Sequence, residues 1–217
     1  SDLNRDVGLS TKFDNSPKPN FEAIAKGDWG SLAYTLEDMV ADVQGLLESL
    51  VIEQAHIFGI SMGGMIAQLF AYQFPEMTLS LTSVMSTSSA EGLPGPSEEA
   101  LQAMLSRPAT DNAEDVIALT AANMAVYGSP GYPETEQHRL AMATKVYHRA
   151  YNPKGVLRQT AAVRANGSRE VQLTNLQVPA LVIHGDGDCL IPLACGEDTA
   201  KHIPGAKMVV VPGMGHN

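Results

Sequence analysis

Apolar positions follow two different periods along this chain, and the switching between them predicts its architecture. Leu36, Met39, Val40, Val43, Leu46, Leu47 and Leu50 fall on one face of a helix. Thr35 precedes them and Asp38 follows three residues on, a variant of the capping box that marks a helix start. Short apolar runs without that spacing occur at 55–59, at Leu79 to Met85, at Ala180 to His184 and at Lys207 to Val211, and these predict strands. Met65 to Tyr72 predicts a helix stopped at Phe74-Pro75. Helix and strand in alternation require crossover connections, and therefore a mostly parallel sheet flanked by helices.

From Ser86 the pattern changes. A linker-like stretch, Gly92-Leu93-Pro94-Gly95-Pro96, leads into helical patterns at roughly 97–106, 112–127, 133–150 and 153–165. They are separated at Arg107-Pro108, at Gly128-Ser129-Pro130-Gly131 and at Asn152-Pro153. About eighty helical residues between two strands predict a cap over the carboxyl edge of the sheet. The chain divides into a first core part at 1–86, a helical cap at 87–170 and a second core part at 171–217. The cap residues Met104, Met124, Tyr127, Met142, Tyr147 and Tyr151 suit either a helical core or a substrate wall. Residues 12–31, rich in Pro, Asn, Lys and Gly, predict an exposed excursion, and Arg5 to Thr11 a loop.

Composition narrows the function classes. The 217 residues are 44% hydrophobic and 18% charged, an ordinary globular balance. A net charge of −10 and a pI near 4.9 argue against nucleic-acid or anionic-membrane surfaces. No apolar run approaches the ~20 residues that span a bilayer. The two cysteines, Cys189 and Cys195, lack the paired His/Cys clusters of a zinc site. They are expected as free thiols in a reducing compartment, which points to the cytoplasm.

The candidate chemistry centres on Gly59-Ile60-Ser61-Met62-Gly63-Gly64, between a strand and a helix. This is the pattern of a nucleophile elbow, in which a strained backbone lifts a serine hydroxyl above the sheet edge. A side chain at position 59 or 63 is expected to collide with the neighbouring strand or helix. By chance roughly one chain in fifteen of this length carries Gly-x-Ser-x-Gly, so the flanking strand and helix carry much of the weight. Each later strand is also followed by a residue suited to acyl transfer. Asp188 follows the strand at 180–184, and His216 sits in Gly213-Met214-Gly215-His216 after the last. A serine needs a base to take its proton, and histidine titrates near neutrality. That histidine needs a carboxylate to fix its tautomer. The strands of a parallel sheet end on one edge, so the three can converge there in the order Ser, Asp, His. Asp186 is the alternative carboxylate; Asp188, deeper in the loop, is favoured. His184 and His56 lie in strands and read as structural. His138, His148 and His202 lie in helices and read as solvated or packed.

Over nearly its whole length the chain resembles the α/β-hydrolase superfamily. The likeness rests on Arg5-Asp6-Val7-Gly8-Leu9-Ser10, the elbow, Gly185-Asp186-Gly187-Asp188 and Gly213-Met214-Gly215-His216. The resemblance implies a serine-dependent carboxylic ester hydrolase. Ser61 would be the nucleophile, Asp188 the orienting carboxylate, His216 the base, and the Met62 N–H an oxyanion-hole donor. It implies a small-molecule ester substrate and neither metal nor organic cofactor. Arg5-Asp6, with the Gly92–Pro96 stretch, is similar to the aclacinomycin methylesterase branch, whose members remove methyl esters from polyketides. Enol-lactonases, C–C bond hydrolases and cofactor-free perhydrolases use the same elbow, and a hydrolase-fold binding protein is the non-enzymatic alternative. Serine at position 61 sets the chain apart from haloalkane dehalogenases and epoxide hydrolases, where aspartate is expected.

Two departures stand out. The family carries strands and an oxyanion loop before the Arg-x-x-Gly-x-Ser loop, and a helix after its histidine. The sequence is therefore expected to be a portion of a longer protein, with its N-terminal strands and a second oxyanion donor upstream of residue 1. Residues 1–217 alone are expected to expose an unpaired sheet edge and to aggregate or be inactive.

Overall fold

The computed structural model describes residues 4–217, so the first three residues of the 1–86 core segment lie outside it. The elements in chain order begin with helices α1 (Phe21–Ala25) and α2 (Leu36–Ser49). Strand β1 (Ala55–Ile60), helix α3 (Met62–Gln73) and strand β2 (Thr78–Val84) follow. Helices α4 (Glu98–Leu105), α5 (Ala113–Tyr127), α6 (Glu136–Ala150), α7 (Pro153–Asn166) and α8 (Glu170–Thr174) come next. Strand β3 (Ala180–Gly185), helix α9 (Leu193–His202) and strand β4 (Lys207–Val211) complete the chain.

The four strands form one parallel sheet in the order β1-β2-β3-β4. Strand order equals chain order, so right-handed crossovers deliver their helices to a single face. That face buries Leu81 and Val182 against Ala67 and Ala71 of α3, with Leu173 and Ile203. The opposite face is exposed along its two edge strands and covered at Val84 in the middle. Ile60 pairs with Val84, Val84 with Ile183, and Ile183 with Val209, so these four share that face. Phe58, Ile60 and Val209 are exposed on it.

α3 is the hub. Gly64 to Ala71 are all buried in it. Its Met65, Ile66, Leu69 and Phe70 meet Leu36, Met39 and Val40 of α2. Each such side chain removed from water is worth about 1.5–3 kcal/mol. Thr35 closes the capping box with Asp38 that fixes the start of α2. The apolar stripe of α2 outruns its cover, since Leu46 and Leu50 are exposed while Val43 and Leu47 pack on the core.

Two short helices were not expected. The 12–31 excursion contains α1, which begins where the Asn20 side chain accepts the Ala23 N–H at 3.1 Å and which buries Ile24. α8 buries Leu173. Helices of five residues hold too little of the 3.6-residue period to be read from spacing.

Asp6 fastens the N-terminal loop to the helices. Its carboxylate is wholly buried and accepts from Arg158 Nε at 2.8 Å and Nη2 at 2.7 Å. It also accepts from the Tyr34 hydroxyl at 2.7 Å and the Phe13 N–H at 2.9 Å. Burial pushes the Asp6 carboxyl upward, but the bonds from Arg158, Phe13 and Tyr34 outweigh it and hold the group well below its ordinary 3.8. The same burial, with Asp6 as neighbour, pushes the Tyr34 phenol up.

A depressed folded-state value means that the unfolded chain binds the proton more readily. Asp6 therefore contributes its full stability above the unfolded value of 3.8 and loses it as pH falls toward the folded value. Thermal melts from pH 7 to pH 2.5 are expected to show a steep acid decline for the parent and a shallower one for Asp6→Asn. Arg158→Met, which leaves a buried carboxylate unpaired, is expected to lose about 3–5 kcal/mol at neutral pH. Parallel acid declines in parent and Asp6→Asn would contradict this account.

Candidate active site

β1 ends at Ile60, and Ser61 follows as the N-cap of α3 with φ 54° and ψ −121°. That conformation is rare for a residue with a side chain and costs about 1–3 kcal/mol. Surrounding bonds hold it: the Ser61 N–H donates to Val84 O at 2.9 Å, and the Ser86 hydroxyl donates to Ser61 O at 2.8 Å. An N-cap serine ordinarily bonds its own helix, but Ser61 makes no side-chain capping bond. Its hydroxyl is left for other work. Met62 is the first residue of α3, so its N–H lies at the positive end of the helix dipole.

The expected role of the flanking glycines holds at one position and fails at the other. A Cβ on Gly59 would overlap the carbonyl oxygen of Gly63, so the strand and helix backbones touch there. A Cβ on Gly63 would meet nothing within 4 Å. The second crowded position is Gly64, where a Cβ would lie 2.6 Å from Ser86 Cβ. What position 63 contributes to the close approach is its backbone carbonyl, not the lack of a side chain.

The loop after β3 supplies the carboxylates. Asp186 Oδ1 accepts the Gly213 N–H at 2.6 Å and so braces the two loops against each other. Asp188 is buried, and its Oδ1 accepts the N–H groups of Leu190 at 2.9 Å and Ile191 at 2.8 Å. Its Oδ2 lies 2.7 Å from His216 Nδ1, and His216 Nε2 lies 2.9 Å from Ser61 Oγ. Ser61, His216 and Asp188 therefore form one hydrogen-bonded chain across 155 and 28 residues of sequence. Acceptance by Asp188 puts a proton on Nδ1 and leaves the Nε2 lone pair facing the serine hydroxyl.

The other histidines stand apart from Ser61. His184 is wholly buried; its Nε2 bonds Ile191 O at 2.7 Å and lies 3.5 Å from Asp188 Oδ2. His56 Nδ1 bonds Ser80 Oγ, and His202 lies between Glu170 and Asp198. His138 is exposed beside Glu134, and His148 packs edge-on against Tyr147. Cys189 and Cys195 are free thiols. Burial first, and the Asp188 charge second, push the Cys189 thiol up.

Two contacts were invisible in the sequence. Ser86 braces the elbow from the end of β2. The connector Gly128–Gly131 between α5 and α6 meets the loop that carries His216, where Tyr127 O accepts the His216 N–H at 2.7 Å. Nothing in the spacing of a Gly-Pro turn announces a partner eighty residues away. Gly128, Ser129 and Pro130 of that connector form one wall of a cavity of about 320 Å³, also lined by Glu99, Arg139 and Cys189, with Ser61 not among its walls. Met104, Met142 and Tyr151 are exposed.

A nucleophile-elbow turn at the carboxyl edge of a parallel sheet defines an α/β hydrolase. The chain belongs to the family described as alpha/beta hydrolase fold, which it matches over residues 13–217. It is similar to the rhodomycin D methylesterase of Streptomyces peucetius, with 25% identity over 98% of this chain and 72% of the relative. It is 29% identical to a 2-hydroxy-6-oxononadienedioate/2-hydroxy-6-oxononatrienedioate hydrolase of Paraburkholderia phymatum, over 80% of this chain and 60% of that one. Among solved structures it resembles the enol-lactonase of Burkholderia xenovorans LB400, with a TM-score of 0.64 and 25% identity over 84% of this chain and 66% of that one. The chain thus spans 72%, 60% and 66% of the lengths of these three proteins. Among the described residues no helix is long and apolar enough to cross a membrane.

Contrasting glycine substitutions test the packing of the elbow. Gly59→Ala is expected to abolish folding, because the overlapped atom is backbone. Gly63→Ala is expected to melt at or slightly above the parent temperature, since alanine gains up to about 1 kcal/mol over glycine inside a helix. Equal melting temperatures for the two variants would refute the assignment of the close contact to position 59.

Proposed function

We propose that this protein is a serine-dependent carboxylic ester hydrolase. The observation that carries the reading is the continuous chain from Ser61 Oγ through His216 to Asp188, at 2.9 and 2.7 Å. Both distances are hydrogen-bond lengths, short enough for proton transfer without rearrangement.

In this mechanism Ser61 Oγ attacks the ester carbonyl carbon while its proton passes to His216 Nε2. Asp188 holds the imidazole in the required tautomer and stabilises the imidazolium that forms. The carbonyl oxygen gains charge at the N-terminus of α3, where the Met62 N–H donates to it; one such donor is worth about 10²–10³ in rate. The tetrahedral intermediate collapses, the C–O bond to the leaving alcohol breaks, and His216 returns the proton to that alcohol. Water, deprotonated by His216, then attacks the Ser61 acyl-enzyme and releases the acid. Neither a metal nor an organic cofactor takes part in these steps.

The helices between β2 and β3 serve as the cap, and the substrate is a small-molecule ester. Likeness to the rhodomycin D methylesterase supports a methyl ester of a bulky polycyclic acid. Likeness to the enol-lactonase supports a second reading, in which the ester is cyclic and the leaving alcohol stays attached to the acyl group.

Turnover of p-nitrophenyl acetate and butyrate by the full-length protein is the first test. Ser61→Ala is expected to lower kcat by about 10⁴-fold or more. Undiminished turnover by that variant removes Ser61 from the mechanism, and no turnover by the parent favours a binding protein on the hydrolase fold. Profiling polycyclic methyl esters against enol-lactones then separates the two substrate readings.

A further inference from the structure

We propose that Ser129, on the loop between α5 and α6, is a positioning residue for His216. This rests on the reading of His216 as the general base. His216 lies five residues beyond β4, on a segment that the sheet does not hold. The α5–α6 loop holds it instead. Gly131 N–H donates to Gly213 O at 2.8 Å, the Ser129 hydroxyl accepts the Gly215 N–H at 2.8 Å, and Tyr127 O accepts the His216 N–H at 2.7 Å. Residues 127, 129 and 131 thus grip 216, 215 and 213 in antiparallel fashion. On the other side Gly187 N–H donates to Met214 O at 3.0 Å, so the histidine segment is clamped between two loops.

Ser129 is the only side chain in that three-rung grip; the other two bonds run between backbone groups. Its hydroxyl also donates to the Asn217 side chain, so it bonds the residue on each side of His216. A hydroxyl is the smallest group that can accept from one neighbour and donate to the other. Ser129 is 6% exposed and lines the cavity beside the connector. The backbones are too close for it to be bypassed: a Cβ on Gly131 would lie 2.8 Å from Gly213 Cα. The imidazole bonds both Asp188 and Ser61, and a shift of its backbone disturbs both bonds. A displacement of about 1 Å at such a group can cost up to 10²-fold in rate.

The test uses the full-length protein and p-nitrophenyl butyrate. A parallel measurement follows the rate at which a fluorophosphonate labels Ser61, which reports activation of the nucleophile independently of the alcohol site. Ser129→Ala is expected to lower kcat and the labelling rate together by about 10-fold, with KM held within about twofold. Ser129→Thr keeps the hydroxyl and is expected to restore most of both rates. Ser129→Ala with parental kcat, or with a change confined to KM, overturns the proposal. If Ser129→Ala does not fold, Ser129→Cys, which fills the same space with a weak hydrogen-bonding group, replaces it under the same criteria. Ser61→Ala is the control on the underlying reading. Turnover by Ser61→Ala means that the reading of the site has failed. A silent Ser61→Ala beside a fully active Ser129→Ala means that the Ser129 assignment alone has failed.

Discussion

Parallel strands place their carboxyl ends on one edge of the sheet, and the arrangement of this protein depends on that constraint. Ser61 lies one residue past β1, Asp188 three past β3 and His216 five past β4. Reversing any one of these strands would carry its residue to the opposite edge. Five or six residues at about 3.3 Å each make that a displacement of some 17–20 Å, far outside hydrogen-bond reach. The two bonds that join Ser61, His216 and Asp188 are therefore consequences of topology before they are consequences of side-chain packing. Packing supplies the last ångström: Ser86 on the elbow, the Leu190 and Ile191 N–H groups on Asp188, and Tyr127 O on His216.

Buried ions tie the C-terminal part of the helices between β2 and β3 to the rest of the chain. Asp6 and Arg158 join α7 to the N-terminal loop. Arg169 is wholly buried and spans the two points where the chain leaves and rejoins the core. It donates to Thr87 O at 2.6 Å and Ser89 Oγ at 3.0 Å on one side, to Asn166 Oδ1 at 2.6 Å on the other, and to Gln68 Oε1 of α3 at 3.0 Å. None of these partners is charged, and burial brings the guanidinium down to about 10. Buried ions of this kind add little net stability over an apolar replacement, but removing one partner costs far more than the pair contributes. Their effect here is geometric: Arg158 holds the N-terminal loop, and Arg169 several separate segments, at fixed hydrogen-bond distances.

Much of the architecture was legible because it repeats. Long amphipathic helices such as α2 and apolar runs such as β3 announce themselves through period, and a parallel sheet follows from their alternation. The order of Ser61, Asp188 and His216 was legible because each sits just past a strand. Features that depend on a single spatial neighbour were not. α1 and α8 hold little more than one turn each. Position 63 looked sterically obliged to be glycine because it occupies a motif, yet the crowding falls on Gly59 and Gly64. Leu46 and Leu50 belong to the apolar stripe of α2 but find no cover. The meeting of Gly128–Gly131 with Gly213–His216 joins two turns that are each locally ordinary. Sequence spacing records periodicity along the chain, whereas such contacts arise between segments whose separation in sequence has no period.

The chain's relatives include proteins named as a methylesterase, an enol-lactonase and a 2-hydroxy-6-oxononadienedioate hydrolase. Under the proposed reading, these reactions share the demands placed on Ser61, His216 and Asp188: an activated hydroxyl, a proton moved twice and an oxyanion held at a helix N-terminus. They differ in what leaves and in how the acyl group is oriented before attack. Discrimination must then reside in walls that the hydrogen-bonded chain does not contribute, and under the same reading we assign those walls to the helices between β2 and β3. Because the loop joining α5 to α6 also grips the segment carrying His216, those walls and the base are not independent. Under that reading, a change in these helices that alters how the substrate fits would also reach the imidazole, through the bonds from Tyr127 and Ser129 to the His216 segment.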